Sequence, residues 1–423
     1  MPATSILEVT LAAIDYAKQR IVAVLEEIDR LKQSEFPYKH PCDALELLAE
    51  KFKNHQSILS QILSDTSPEY AKSSCSVSLS DLRDYVPLLG FILRSTNVRN
   101  AFEVYAPLQR LARSILKYET KLIVSSEWVY SSTVYKPIGG LAGFVLIGLP
   151  APESANPLLI PLAGHELGHS VWATNKFPNK FADKIADGVL EELKEKQWAD
   201  YTSLYPQYKK DDITKNKLLA RDTWMPSYNL ALLYAEEVFC DLFGLRLFAE
   251  SYLHAFTYLL YPGFSGQRLL NYPKLECRVS HLVNAARKMD VKVPHGFESG
   301  YVTEDDPGER AMKLFVSVAD AVSASLITDI EEMVQKYAKE KDVPMRGIER
   351  VKRICEEFSK RIAPTSNQEA LTDLLNAGWD CSLDPDLWKD VPQIKIEKDR
   401  VLKDLMLKSM EVSEIYERLK KSL

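Results

Sequence analysis

His165-Glu166-Leu167-Gly168-His169 reads H-E-x-x-H. Residues four apart share one face of a helix, so two imidazoles spaced this way can grip one metal ion. Glu166 stands about 100° further round, close enough to reach a water on that ion without taking a coordination position. The chemistry that calls for these residue types at this spacing is zinc-dependent hydrolysis. With only seven histidines in 423 residues, the motif arises by accident in roughly one such chain in a hundred. The bland alternative is two exposed histidines decorating an ordinary amphipathic helix. The flanks, Leu158-Leu-Ile-Pro-Leu-Ala-Gly164 and Ser170-Val-Trp-Ala173, are apolar and small. Two histidines and a glutamate buried in such surroundings need partners. Gly168 costs about 1 kcal/mol relative to Ala in a helix interior, which predicts close approach of another backbone or a ligand.

A hydrolytic zinc site takes three protein ligands and keeps a position open for water. The third ligand is expected in Tyr234–Phe248, a segment of helical period with Val238, Leu242, Leu245 and Phe248 apolar. Acidic residues inside such a helix are expensive unless something charged meets them. Glu237 and Asp241 lie one turn apart on one face. Glu237 can bind the metal while Asp241 accepts the N–H of a ligating histidine. Glu236 competes for the ligand role but has no carboxylate four residues later, and is assigned a surface or capping contact. A solvated, salt-bridged acidic face is the alternative for the whole cluster.

H-E-x-x-H followed by E-x-x-x-D resembles the gluzincins, zinc peptidases whose third ligand is glutamate. Glu237-Val-Phe-Cys-Asp241-Leu-Phe-Gly244 is most similar to the helix of the prenyl-protein (CAAX) endopeptidase and heat-shock membrane peptidase family. The spacing of 68 residues from His169 to Glu237 is also similar. Tyr272-Pro-Lys-Leu-Glu-Cys-Arg278 looks like that family's His-Pro…Arg segment, with tyrosine where histidine is usual. The likeness covers about residues 120 to 290. It implies zinc held by His165, His169 and Glu237, Glu166 as general base, and Asp241 as the partner of His165. For the oxyanion donor it offers Arg278 first, with Tyr272, Tyr261 and His281 behind. A structural salt bridge competes for Arg278, and a packed aromatic role for Tyr272.

Elements must hold these residues in place. Lys121–Ser125 and Phe144–Gly148 read as strands of a small sheet upstream of the zinc helix. In zincins an edge strand there binds extended substrate, whereas a plain buried hairpin would have no ligand role. Asn156 and Pro157 suit the N-cap and N1 positions of the zinc helix, with Pro161 able to shift its start or kink it. A first helix is expected over about 5–33, on the seam Leu7, Leu11, Ile14, Ile21, Leu25, Ile28 and Leu31. Further helices follow over about 42–64, 79–95 and 98–118. Helical segments fill 180–222, where they could roof the cleft. Apolar stripes predict helices over 308–340 and 397–423, with 365–392 a loop-and-turn connection. The expected fold class is mainly α (α+β): a zincin-like core with a small β-sheet, flanked by helical regions. The expected domains are 1–118, 119–295 and 296–423.

Composition restricts the partners. Net charge −6 and a pI near 5.8 leave no basic footprint for nucleic acid. The six cysteines lack C-x-x-C spacing and read as reduced thiols. No signal peptide is read at the start, and no run approaches the roughly 18 apolar residues of a membrane span. A soluble, cytoplasmic protein is therefore expected, unlike the membrane-embedded members of the similar family. The expected substrate is a peptide or protein. The terminal helices could pack on the rest or offer a face to a second copy or another partner. Two functions stay open: an active zinc metallopeptidase, and a catalytically inactive metal-binding pseudopeptidase acting as a regulatory or interaction module.

Overall fold

The computed structural model describes the chain except residues 1–2, 63–65, 99–100, 118, 129–132, 135–140, 142, 154–155, 216–219, 261–268, 300, 302–307, 344, 365–369 and 423. Side chains at 3–12, 101, 133–134, 214–215, 394–395 and 421–422 also lie outside the described set. Among the described residues the fold is mainly α with one small sheet. Spatial contacts divide it into two compact units, residues 1–105 with 119–154, and residues 106–118 with 155–423. The strands thus belong with the N-terminal helices, and residues 296–423 share a unit with the H-E-x-x-H helix.

In the first unit, α1 (Ala3–Leu31), α2 (His40–Ser60) and α3 (Pro68–Arg94) pack on one another. Ile14, Ile21, Leu25, Ile28 and Leu31 of the expected seam pack in one core with Leu45, Phe52, Leu88 and Ile92. Leu7 and Leu11 lie outside the described side chains. Helix α4 (Ala101–Ile115) contains the division between the units.

Strands β1 (Lys121–Glu127), β2 (Thr133–Val134) and β3 (Phe144–Pro150) form a sheet in the order β1-β3-β2. β1 and β3 pair in parallel, from Lys121 opposite Phe144 to Glu127 opposite Pro150. They therefore make no hairpin with each other. Both are buried almost throughout, as parallel strands covered on both faces must be. The outer edge of β1 is not an open substrate ledge: the Tyr38 hydroxyl accepts from Val124 N at 2.7 Å and donates to Val124 O at 2.9 Å. His40 Nδ1 lies 3.2 Å from Leu122 O on the same edge. Side chains have taken the pairing sites that an extended peptide would use.

The second unit continues with α5 (Ala163–Thr174), α6 (Phe177–Glu195), α7 (Trp198–Leu204), α8 (Lys210–Lys215), α9 (Arg221–Phe248), α10 (Glu250–Leu260) and α11 (Leu275–Lys288). It ends with α12 (Arg310–Ser325), α13 (Ile327–Glu340), α14 (Ile348–Ser359), α15 (Leu371–Leu383), α16 (Pro392–Ile396) and α17 (Lys398–Ser422). Helix α9 is its axis, with α5, α6, α11, α12 and α13 packed against it.

Three expectations change here. Asn156 does cap, accepting from Leu158 N at 3.3 Å, but what it caps is a 3-10 turn over Pro157–Leu162. Pro161 has no N–H to give an α-helical ladder, so α5 starts only at Ala163. The stripe over 308–340 is two helices bent by 51°, not one. The loop expected over 365–392 contains α15. Gly378 lies inside this helix, with Met406 Cε 2.3 Å from where a Cβ would be. Among the described residues no single helix is long and apolar enough to cross a membrane; only the bent α12–α13 pair passes, by length and composition together.

Candidate metal centre

Helices α5 and α9 approach closely at Gly168. A Cβ at Gly168 would lie 2.8 Å from Cys240 Cα, so only glycine permits this approach. The crossing sets the register that brings Glu236, Glu237 and Asp241 of α9 beside His165 and His169 of α5.

Each imidazole has one nitrogen held by its own carboxylate. His165 Nδ1 donates to Asp241 Oδ1 at 2.9 Å, and His169 Nδ1 donates to Glu236 Oε1 at 2.8 Å. Ionised carboxylates only accept, so these bonds place a proton on Nδ1 and leave Nε2 as the nitrogen that could face a metal ion. Both Nε2 atoms face Glu237: His165 Nε2 is 3.3 Å from Oε2, and His169 Nε2 is 3.7 Å from Oε1. Glu237 Oε2 is buried and receives no hydrogen bond. Groups this close hold together only with a positive charge among them, either a proton on His165 or a metal ion. Donors about 2.0–2.1 Å from a tetrahedral zinc are about 3.4 Å apart, which is the spacing found. The residues therefore fit the ion.

Electrostatics points the same way. Burial opposes the charge of Glu237, but the adjacent His165, and then Arg278, hold it below the usual carboxylate range. Burial also opposes a charged His165, yet Asp241 and Glu237 outweigh it and push its pKa up to about 10. A full positive charge is favoured where the two histidines and Glu237 converge. Glu166 is on the same helix and only 3% exposed.

His165, His169 and Cys240 also offer ligand atoms within 4.8 Å of one another, which makes the thiol a rival third donor. Glu237 suits the role better. Cys240 Sγ lies 3.1 Å from where a Gly168 Cβ would be, in the seam between the helices. Burial and then the carboxylates Glu237, Glu236, Asp241 and Glu166 keep its thiol protonated far above the ordinary range.

Arg278 lies behind the histidines. Its Nε donates to Asp241 Oδ2 at 2.7 Å and its Nη2 to Oδ1 at 2.8 Å, a bidentate pair. Tyr252 adds a third support, its hydroxyl donating to Asp241 Oδ1 at 2.9 Å. Burial disfavours an ionised Asp241, but the guanidinium overcomes it and holds the carboxyl well below its usual value. The salt bridge weighed for Arg278 is thus present, and two of its donors are committed to Asp241 instead of a reacting oxygen. Tyr272 packs its ring 5.6 Å from the guanidinium and stays 39% exposed. Its hydroxyl is pushed up by burial and then by Glu237, with Glu166 also contributing, so it lies within the field of the site. His281 lies on α11, where burial lowers its pKa. Tyr261 falls outside the described residues.

Glu236 and Tyr252 are the residues that the sequence reading missed. For Glu236 a signal exists: two buried ligand histidines need two acceptors, and α9 carries tandem acids. Tyr252 has none. A cavity of about 350 Å³ lies elsewhere in this unit, lined by residues such as Leu111, Phe248, Leu374 and Met410, and by none of the metal-centre residues.

No family model, curated protein or solved structure matches this chain.

Proposed function

We propose that the chain is a zinc metallopeptidase of gluzincin type, with His165, His169 and Glu237 as the ligands. The observation that carries the reading is the convergence of two histidine Nε2 atoms on the buried Glu237 carboxylate, His165 on Oε2 and His169 on Oε1. Bound there, zinc supplies Lewis acidity toward a carbonyl and acidifies a water. Glu166 takes the proton from the attacking water and returns it to the leaving amine. Asp241, kept ionised by Arg278, holds the His165 tautomer, and Glu236 does the same for His169. Among the oxyanion candidates in the described residues Tyr272 is preferred over Arg278, because Arg278 is occupied by Asp241.

The test joins metal analysis to cleavage of unfolded peptide. Stoichiometric zinc is expected, and Glu166→Gln should keep it while cleavage falls about 10²- to 10⁴-fold. Protein without zinc, or cleavage indifferent to this substitution, would sink the proposal.

The second reading, an inactive metal-binding pseudopeptidase used for regulation or interaction, draws on Cys240. A structural zinc site closes its last position, commonly with Cys. Cobalt substitution separates the two: a thiolate-to-cobalt charge-transfer band supports the closed site, and its absence supports the open one.

A further inference from the structure

Away from the metal centre, α14 and α15 pack closely and bring two thiols together. Cys355 on α14 donates to the carbonyl oxygen of Ala377 at 3.7 Å. Ala377 is one turn before Cys381 on the same face of α15, so the Cys355 sulfur lies over the turn that carries Cys381. Cys355 is the foremost influence on the Cys381 thiol and pushes its pKa up. Cys381 is 4% exposed, whereas Cys355 is half-buried. The other four cysteines stand on α2, α3, α9 and α11.

We propose that Cys355 and Cys381 form a modification site that closes to an internal disulfide on meeting a small-molecule disulfide. The Cys355 thiolate attacks one sulfur of the oxidant, RS–SR, giving a mixed disulfide and RS⁻. Cys381, as thiolate, then attacks the Cys355 sulfur and expels the second RS⁻. Two protein thiols are oxidised, one RS–SR is reduced, and the two protons leave with the two RS⁻ as RSH. The neighbouring Cys355 and burial keep Cys381 protonated, so closure is slow at neutral pH and faster in alkali.

The consequence reaches the metal helices through α15. Trp379 Nε1 donates to Leu158 O at 2.9 Å, just ahead of α5. Asn376 donates to Phe248 O at 2.9 Å, at the end of α9, and accepts from Ser251 N at 2.9 Å. A bridge to α14 fastens the helix that holds both ends. The inference does not depend on zinc or on catalysis.

The test treats the full chain with oxidised glutathione. The expected result is an intact mass lower by two hydrogens, a linked peptide pair containing Cys355 and Cys381, and reversal by dithiothreitol. A persistent glutathione adduct on Cys355, a different cysteine pair, or no reaction at either thiol would overturn the proposal. Cys381→Ser should instead trap the adduct on Cys355, and failure to trap it refutes the order of attack. Oxidation should raise the thermal midpoint by roughly 5 °C or more, and an unchanged midpoint removes the fastening role.

Discussion

His55 on α2 and the histidine pair on α5 are all held by carboxylates, yet their hydrogen bonding ends differently. His55 has both nitrogens answered within the first unit: Nε2 lies 2.7 Å from Asp81 Oδ2 and Nδ1 lies 3.1 Å from Ser78 Oγ. Lys51 closes the network on Asp81 at 2.7 Å. The composition imitates a Ser-His-Asp triad, but Ser78 is 1% exposed and donates its proton to Ser74 O, the helix carbonyl one turn back. Such a network is complete in itself. His165 and His169 have Nδ1 held by carboxylates, and their Nε2 atoms both face the buried Glu237 carboxylate. A balanced set of donors and acceptors makes structure. A surplus of acceptors around one point is what the proposed cation site rests on.

The sharpest way to break that distinction is to remove one histidine from each region. His165→Ala should abolish stoichiometric zinc and peptide cleavage together, because two donors cannot replace three. His55→Ala should keep both while destabilising the fold by about 1–3 kcal/mol, the cost of leaving buried partners unmet. Zinc retained by the first variant, or lost from the second, would contradict the assignment; metal analysis and urea unfolding supply both readings.

A smaller effect tests the two orienting carboxylates. Glu236→Gln and Asp241→Asn should each weaken zinc binding about 10- to 100-fold in a chelator competition. The glutamine can still accept from His169 Nδ1, so Glu236→Gln should be the milder. Asp241→Asn also strands Arg278, whose two donors rest on that carboxylate. If Glu236→Gln leaves the affinity unchanged, Glu236 is only a packing neighbour of His169.

What could be read in the sequence follows from how local each relation is. The ligand spacing within α5, the one-turn step from Glu237 to Asp241, and the small-residue contact at Gly168 are all helix geometry, and periodicity exposes them. The parallel pairing of β1 with β3 was hidden, because a buried run does not say which way its neighbour points. Arg278 was recognisable as important but not as bound to Asp241, since α11 and α9 are related only by packing. Gly378 and Trp379 resemble turn chemistry until Met406 and Leu158 are in view. Glu236 was assigned to the surface because a single helix shows only one neighbour face, while the crossing of two helices lets adjacent acids serve different histidines.

The smallest prediction asks whether the His55 network is only structural. Burial opposes the charge of Asp81, but hydrogen bonds to Lys51 and His55 prevail and lower its pKa. A lowered folded-state pKa means stability that is present above the unfolded value, near 3.8, and lost as the pH falls through the folded one. The side chain is 21% exposed and solvent screens it, so Asp81→Asn should cost only about 1 kcal/mol at pH 7. The gap from the unsubstituted protein should narrow below about pH 4. Hydrogen exchange of the α2 and α3 amides in metal-free protein reads this locally and keeps acid release of zinc out of the comparison. Zinc content at pH 7 should not change at all. A variant that lost zinc while its α2 and α3 amides stayed protected would tie Asp81 to the metal instead, and the contrast between a closed network and an open one would fail.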